Sequence, residues 1–388
     1  MLRQINLMPG IYLHIPFCKQ ACHYCNFHFS TSLGQKEVLL NALLRELELR
    51  RDYLGDVTIQ TLYLGGGTPS LLEATELNRL FEHIYRLYRV APDAEVTLEA
   101  NPDDLTEAKI AALRQTPVNR LSIGIQSFAD ADLQFMNRAH NSGEAQRCIE
   151  MALKAGFHDL SLDLIYGTPG MSDQQWATNI ETVLAFDVPH LSCYCLTVEP
   201  QTALDHFVKK GKARPVDDAQ AARQLEYLMQ RLETAGYEHY EISNFAKPGR
   251  YSRHNTNYWT GEPYLGAGPS AHSFNGVSRQ WNVANNARYI RALEPERPDW
   301  DALFEKETLT PEQRYNEYVM TSLRTQWGCD LARIRAIDAG FEAYFLNEVT
   351  PFLEDGSVRR SDEVFFLTQK GKFVGDYVAS ELFFVGTW

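Results

Sequence analysis

The sequence predicts an α/β protein in which six parallel strands alternate with helices and a smaller α+β domain follows. Short, nearly continuous apolar segments such as GIYLHIP (10–16) and RLSIGIQS (120–127) alternate six times with amphipathic segments. Strands of this kind are typical of a parallel sheet covered by helices. The alternation stops near Gly236, and a length of 388 residues fits two domains, 1–236 and 237–388.

The six strand and helix units follow one another without interruption. Their predicted strand and helix ranges are, in order, 10–16 and 36–54, 58–67 and 75–90, 94–102 and 106–115, 120–127 and 142–156, 159–170 and 172–186, and 190–200 and 217–236. Such units form either an open doubly wound sheet or an incomplete barrel, and in both the active residues belong at the carboxyl ends of the strands. Polar or glycine-rich stretches stand at four of these ends: GGGTP (65–69), EANP (99–102), Gln126 and Asp163. We therefore expect one shared site at the carboxyl ends of the strands, which form the mouth of the barrel or sheet.

The C-terminal part of the sequence has a different pattern. Residues 236–285 are rich in Gly, Asn and aromatic residues. A helix is predicted over 311–324, and a hairpin followed by a last helix over 357–383. This order is compatible with a small winged-helix-like cap.

The charge and the cysteine usage exclude several classes of protein. The chain has 37 basic and 50 acidic residues, a net charge of −13, which disfavours sequence-independent nucleic-acid binding. No apolar stretch approaches the length of a transmembrane helix, so an integral membrane protein is not expected. The N-terminal MLRQINLMPG lacks the apolar core of a signal peptide. Seven scattered cysteines, an odd number, disfavour a disulfide framework and predict a cytoplasmic location.

Three of these cysteines lie close together, as Cys18, Cys22 and Cys25. A zinc site would need a fourth ligand, for which His23 or His28 is available. A disulfide with one odd cysteine is a second alternative, and three buried cysteines are a third. An iron–sulfur cluster with three thiolate ligands and one open iron explains the close spacing best, because thiolates suit such clusters.

The Cys-x-x-x-Cys-x-x-Cys spacing after a first strand resembles the radical S-adenosylmethionine (SAM) superfamily. The resemblance implies an incomplete (β/α)6 barrel, a 4Fe-4S cluster, and SAM bound to the open iron through its amino and carboxylate groups. The GGGTP motif one unit later resembles the segment that holds the SAM amino group in that family. It implies SAM contacts for Gly66, Gly67 and Thr68, where glycine lets the backbone approach a ligand closely. Tyr24, inside the cysteine loop, is expected to shield the cluster.

Further motifs resemble the branch of oxygen-independent coproporphyrinogen III oxidases. They are YLHIPFC with Tyr12, LEANP with Glu99, SIGIQSF with Gln126, MNRAH with Arg138 and LDLIYGTPG with Asp163. The resemblance implies that Tyr12 and Glu99 contact SAM, Glu99 at its ribose. It places Gln126, Arg138 and Asp163 in the same cavity, near a second SAM position or near haem propionates. Taken singly, each residue is also compatible with a cap or a surface ion pair.

Two departures from the oxidase pattern select a group within this branch. Phe27 stands where the oxidase has a fourth cysteine, and only 17 residues precede Cys18, where the oxidase has a long extension. Both departures, and HNTNYW (254–259), resemble the HemW group of haem chaperones. The resemblance implies haem, haem-accepting proteins and an electron donor for the cluster as partners, and no coproporphyrinogen oxidase activity. The alternatives are an oxidase or another radical SAM enzyme, and a zinc-stabilised binding protein.

His254 is the first candidate for a haem ligand, because neutral imidazole is a common axial ligand, and His272 is a weaker rival. The four other cysteines are predicted to be packing residues. Cys193 and Cys195 share one face of the sixth strand, so metal binding there is an alternative. Cys148 and Cys329 are assigned to helix or loop packing.

Overall fold

The structure is a computed structural model that describes residues 8–294, 296 and 298–386. Most of the segment examined for a signal peptide, residues 1–7, lies outside the described residues. The strands are β1 Gly10–Ile15, β2 Ile59–Gly66, β3 Val90–Ala100, β4 Arg120–Gln126, β5 Leu160–Tyr166, β6 His190–Cys195, β7 Glu238–Glu241, β8 Asn244–Ala246, β9 Tyr264–Ala267, β10 His272–Phe274, β11 Ser278–Asn282, β12 Phe304–Thr308, β13 Cys329–Asp330, β14 Val358–Ser361 and β15 Val364–Leu367.

Helices follow most of the strands. They are α1 Lys36–Leu49, α2 Ala74–Leu87, α3 Glu107–Leu113, α4 Asp130–Phe135, α5 Ser142–Lys154, α6 Asp173–Ala185, α7 Ala203–Lys209, α8 Asp218–Thr234, α9 Arg253–Thr260, α10 Asn286–Ala292, α11 Trp300–Leu303, α12 Pro311–Leu323, α13 Leu331–Ile337, α14 Gly340–Glu348, α15 Thr350–Glu354, α16 Gln369–Lys372 and α17 Gly375–Glu381. None of the helices in the described part of the chain is both long and apolar enough to cross a bilayer.

The first six strands confirm the predicted barrel-type order. β1 to β6 are parallel neighbours in the order of the sequence. A doubly wound sheet would reverse its order at a switch point, so the arrangement is an incomplete (β/α)6 barrel. Ile11, Leu13 and Ile15 of β1 are fully buried in the main hydrophobic core. Because side chains alternate along a strand, Tyr12 and His14 lie on the opposite, inner face.

Local signals in the sequence set where the helices begin. Asn141 caps α5: its side chain accepts a bond from the Glu144 backbone, and the Glu144 side chain accepts one from Asn141. Ser172 and Gln175 form the same reciprocal pair at the start of α6. Such capping boxes satisfy backbone donors that have no partner inside the helix. The helices therefore begin directly after the strand-end loops that carry the predicted site.

The sheet continues beyond the six predicted strands at both edges. β9 pairs in parallel with β1, and β10, β11 and β12 follow it outward. At the other edge β8 pairs antiparallel with β6, and β7 lies outside β8. The described part of the chain thus forms one 12-stranded sheet that crosses the predicted boundary between residues 236 and 237. The division into 1–236 and 237–388 remains a prediction.

A buried ion pair on α1 attaches this extension to the barrel. Arg50 and Glu46 are 5% and 0% exposed, and Arg50 Nη1 lies 2.7 Å from Glu46 Oε1. Glu46 also accepts bonds from the Gly268 backbone, Asn282 Nδ2 and Tyr289 Oη. Every one of these partners follows β9 in the chain. A buried charge pair needs such additional hydrogen bonds to offset the loss of hydration.

The last part of the chain has a hydrophobic core of its own. A three-stranded sheet in the order β13-β15-β14 packs with α12 to α17, and the buried cluster runs from Tyr315 to Phe384. This arrangement confirms the predicted smaller α+β, winged-helix-like unit. It contacts the barrel through α9: the Arg324 guanidinium lies 5.4 Å from the Trp259 ring, and Arg333 donates to the Thr260 carbonyl.

Candidate cluster and cofactor site

Cys18, Cys22 and Cys25 lie in the loop after β1, at the mouth of the barrel. All three are free thiols, each partly buried, and all line one cavity. Thr68 Oγ1 donates to Cys18 Sγ at 3.4 Å, and Arg138 Nη1 donates to Cys22 Sγ at 3.4 Å. Burial raises the pKa of Cys18 to about 11, and the Thr68 bond acts in the opposite direction. Three thiols at one cavity suit a cluster with one open iron, because each thiolate binds a different iron.

The histidines considered for a zinc site have other partners. His23 Nδ1 contacts the Phe135 carbonyl oxygen at 2.9 Å. His28 Nε2 contacts Asn286 Oδ1 at 2.7 Å. In the part of the chain that the structure describes, no three His, Cys, Asp or Glu side chains are grouped to hold a metal ion.

The glycines at the end of β2 have a packing role that the sequence did not show. Gly66 has a φ of +100°, and a Cβ there would overlap the His14 ring. A Cβ on Gly67 would lie 2.7 Å from the Ile15 carbonyl oxygen and from the Phe17 backbone nitrogen. The glycines therefore let β2 approach β1 and the start of the cysteine loop. Contacts of Gly66 and Gly67 with SAM remain a prediction.

Glu99 is held at the end of β3 by two donors. Tyr63 Oη donates to Oε1 at 2.7 Å, and the Gly66 backbone donates to Oε2 at 3.1 Å. Burial raises the pKa of Glu99 to about 7, although the Tyr63 bond acts in the opposite direction. Burial also raises the pKa of Asp163 to about 6. Two carboxyl groups with raised pKa values in one cavity are typical of a functional site.

Arg138 and Gln126 occupy the same cavity. Arg138 Nη2 donates to Asn101 Oδ1 at 2.7 Å and to the Gly124 carbonyl oxygen at 2.8 Å. Its buried Nε has no partner among the described residues. Gln126 is 8% exposed and has a φ of +66°, an uncommon conformation for a residue other than glycine. An unpaired donor and local backbone strain both mark this region as a ligand site.

The cavity has a volume of about 610 Å³. It brings together eleven of the thirteen predicted site residues, all except Tyr12 and His254: Cys18, Cys22, Tyr24, Cys25, Gly66, Gly67, Thr68, Glu99, Gln126, Arg138 and Asp163. Residues that the sequence reasoning did not assign also line it: Asn101, Ser122, Gly124, Tyr194, Thr197 and Glu199. Most of these lie at or just beyond the end of an observed strand, so strand-end position is the signal that could have found them. Cys195, which was predicted to be a buried packing residue, is exposed and also lines the cavity, because its strand ends there.

Tyr12 and His254 lie in the barrel interior, apart from the residues that line the cavity. Tyr12 Oη contacts His14 Nδ1 at 3.2 Å. The His254 ring is buried, with Nδ1 at 2.8 Å from Thr61 Oγ1 and Nε2 at 2.9 Å from Tyr258 Oη. Burial lowers the pKa of His254 to about 3, so its ring is neutral. Iron coordination by His254 requires one of these two bonds to break.

A segment after β6 covers one side of the cysteine loop, which the sequence reasoning did not foresee. The Leu204 backbone donates to the His23 carbonyl oxygen at 2.8 Å, and the Phe207 ring lies 5.0 Å from the His23 ring. Tyr24 packs against the small cluster that contains Leu204 and Met136. The shielding role of Tyr24 remains a prediction.

An incomplete parallel barrel with three cysteines at its mouth and a glycine loop on the next strand defines a radical SAM protein. The radical SAM superfamily model matches residues 12–183, and the HemN C-terminal domain model matches residues 309–374. The chain is 35% identical to the heme chaperone HemW of Bacillus subtilis over 96% of its length and 98% of the relative's. It is 36% identical to the heme chaperone HemW of Mycobacterium tuberculosis over 96% of its length and 94% of the relative's. The chain belongs to the HemW family.

The fold is also similar to a solved structure of an enzyme. Coproporphyrinogen III oxidase (HemN) from Escherichia coli superposes with a TM-score of 0.83, over 97% of this chain and 90% of that one. The two sequences are 23% identical, so this likeness establishes the fold alone.

Membership of the radical SAM superfamily gives the site its cofactors, a 4Fe-4S cluster and SAM. The residues at the mouth fit them: three free thiols line one cavity, and Arg138 Nε has no partner in the described part of the chain. Cys18, Cys22 and Cys25 would hold the cluster, and Glu99 would accept bonds from SAM. When bound, the cluster and SAM together supply one-electron chemistry. The chain's own part is to hold Glu99 through Tyr63 and Gly66.

Proposed function

We propose that this protein binds haem and delivers it to haem-accepting proteins, on a radical SAM scaffold that retains the cluster and SAM. The observation that carries this proposal is the similarity to proteins named heme chaperones, at 31–36% identity over almost the whole chain. The proposal includes an electron donor for the cluster and a cytoplasmic location. The acidic charge of −13 and the seven free cysteines support that location and the absence of a nucleic-acid partner.

Phe27 supports a binding role at the mouth. Its side chain is 68% exposed and lines the edge of the cavity, two residues after Cys25. The exposed ring is therefore available to a molecule bound in the cavity. A porphyrin is a flat apolar ring system, and aromatic side chains stack on such surfaces.

Two histidines remain candidates for the haem ligand. His254 is enclosed in the barrel, as described above. His272 is exposed, and its ring stacks on Trp281 at 6.4 Å. Partial burial and the Arg279 charge lower the pKa of His272, which favours the neutral, coordinating imidazole. Accessibility favours His272 in the described conformation, whereas the sequence signature favours His254.

The test is a single preparation examined in three ways. After anaerobic reconstitution of the cluster, haem titration should give a saturable Soret band. Mixing with an apo-haemoprotein should then move the band to that acceptor. The same sample should not convert coproporphyrinogen III when SAM and a reductant are added. Many turnovers of that conversion would overturn the chaperone proposal.

The oxidase is the second candidate function. The retained cavity residues Gln126, Arg138 and Asp163 and the HemN-like fold favour it. Phe27, in place of the oxidase's fourth cysteine, disfavours it. Variants at Phe27 separate the two: Phe27→Ser should weaken haem binding if the aromatic ring packs on the porphyrin, and Phe29→Ser, on the same loop, is the matched control.

A further inference from the structure

The HNTNYW segment (254–259) lies on helix α9, which packs against β2 of the barrel. Helix α9 begins after Ser252, whose side chain accepts a bond from the Asn255 backbone. The Arg253 and His254 backbone amides both donate to Glu95 on β3, at 2.9 Å each. Together with the two bonds of the His254 ring, these contacts fix the imidazole inside the barrel.

His254 is in ring contact with Tyr63, the residue that donates to Glu99. The Tyr63 ring lies 5.0 Å from the His254 ring and is nearly parallel to it, at 26°. The Tyr12 ring stacks on both, at 6.0 Å from Tyr63 and 6.3 Å from His254. Tyr63 Oη then donates to Glu99 Oε1 at 2.7 Å. A continuous set of contacts thus leads from α9, the helix that contains HNTNYW, to Glu99.

We propose that His254 and Tyr63 are positioning residues for SAM: His254 fixes the Tyr63 ring, and Tyr63 fixes Glu99 as an acceptor at the cavity. The inference does not depend on haem binding. A hydrogen bond to a charged group is directional, so its value depends on how firmly the donor is held. Ring contacts with Tyr12 and His254 hold the Tyr63 ring, and its hydroxyl bonds to Glu99.

The ionisation of Glu99 depends on groups from several elements. The titratable groups whose charges interact with Glu99 are Tyr12, Cys25, Tyr63, Asp163, Tyr194 and Tyr258. Of these, the Tyr63 bond stabilises the carboxylate and so opposes the effect of burial on its pKa. Loss of that bond alone should therefore move the acid limit of SAM binding to higher pH.

The first test is Tyr63→Phe, which keeps the ring and removes the donor. SAM affinity, measured by calorimetry on the reconstituted protein, should fall about tenfold or more, the usual effect of losing a bond to a charged group. The pH at which affinity is half lost should rise. The change that SAM causes in the EPR signal of the reduced cluster should need correspondingly more SAM. Unchanged affinity and an unchanged pH profile would overturn the proposal.

The second test separates positioning from ligation at His254. His254→Gln should weaken SAM binding and leave the Soret band unchanged. The double variant with Tyr63→Phe should bind SAM no more weakly than Tyr63→Phe alone, because both changes act on one bond. His190→Gln is the matched control: His190 is equally buried and bonds to Ser161 and Tyr240 through both nitrogens. Its SAM affinity should be unchanged. A shifted Soret band with normal SAM affinity in His254→Gln would overturn the proposal in favour of ligation.

Discussion

Arg50 and Arg138 are both largely enclosed by protein, but their donors are used differently. Arg50 bonds to Glu46, to the Gly266 carbonyl oxygen, to Ser273 and to Gln280. Arg138 leaves its buried Nε without a partner among the described residues. A buried donor without a partner costs free energy that folding alone does not recover. The Arg50 site is therefore complete as folded, whereas the cavity at the barrel mouth is arranged for a ligand.

The largest expected effect lies at the mouth. Cys22→Ala should abolish the brown colour and the EPR signal of the reduced cluster, because two thiolates do not hold the cluster with one iron open. Cys148→Ala is the matched control, since Cys148 is a fully buried packing residue on α5. It should keep its iron and sulfide content. Full retention of the cluster in Cys22→Ala would show that the trio is not the ligand set.

The second effect tests the Arg50 site. Glu46→Ala leaves a buried guanidinium without its counter-charge and should lower the free energy of unfolding by about 3–5 kcal/mol. Chemical denaturation measures this loss. The fraction that remains folded should bind SAM normally, because Glu46 lies in contact with the extension rather than with the cavity. Weaker SAM binding without loss of stability would contradict the assignment.

The third expected effect is at Arg138, where a substitution should weaken ligand binding more than stability. Arg138→Gln removes the donor to Cys22 and the charge at the cavity, so cluster retention and SAM affinity should fall, the latter about tenfold. Stability of the cluster-free protein should change by less than in Glu46→Ala, because Nε is already unpaired. An equal loss of stability in the two variants would remove the distinction between the two arginines.

The smallest effect concerns Asp163. Burial raises its pKa from 3.8 to about 6, so between those values the folded state holds a proton that the unfolded state has released. Stability from this group is present below pH 4 and is lost as the pH rises through 6. Asp163→Asn should therefore stabilise the cluster-free protein by about 1–2 kcal/mol at pH 7.5 and by little at pH 4. Thermal unfolding at the two pH values checks this, and equal differences at both would contradict it.

The sequence predicted the six strand and helix units because their signals are local. Each strand of the barrel is a run of apolar residues, and each helix has its own cap and period. The cysteine trio was recognisable for the same reason, since all three residues lie in one short loop. The pairing of β9 with β1 was not predicted, because YLGA (264–267) is too short to show a period and its partner is far away in the chain.

The position of His254 was also beyond local reasoning. A histidine next to an asparagine in a loop-like sequence gives no sign that Thr61 and Tyr258 will occupy both ring nitrogens. Only the folded sheet brings Thr61, nearly 200 positions earlier, against α9. Gly66 and Gly67 show the same limit: their presence was noticed, but the atoms they avoid belong to β1 and the cysteine loop.

The parallel pairing of β9 with β1 sets an order of events during synthesis. β1 ends at Ile15 and β9 begins at Tyr264, so at 5–20 residues per second the ribosome needs roughly 12–50 s to make the intervening chain. Throughout this interval one edge of β1 is unpaired, and an unpaired edge invites contact with other chains. The cysteine loop directly follows β1 in the chain. Its final shape is therefore reached only after most of the polypeptide has left the ribosome, which makes cluster loading a late step in the life of each new molecule.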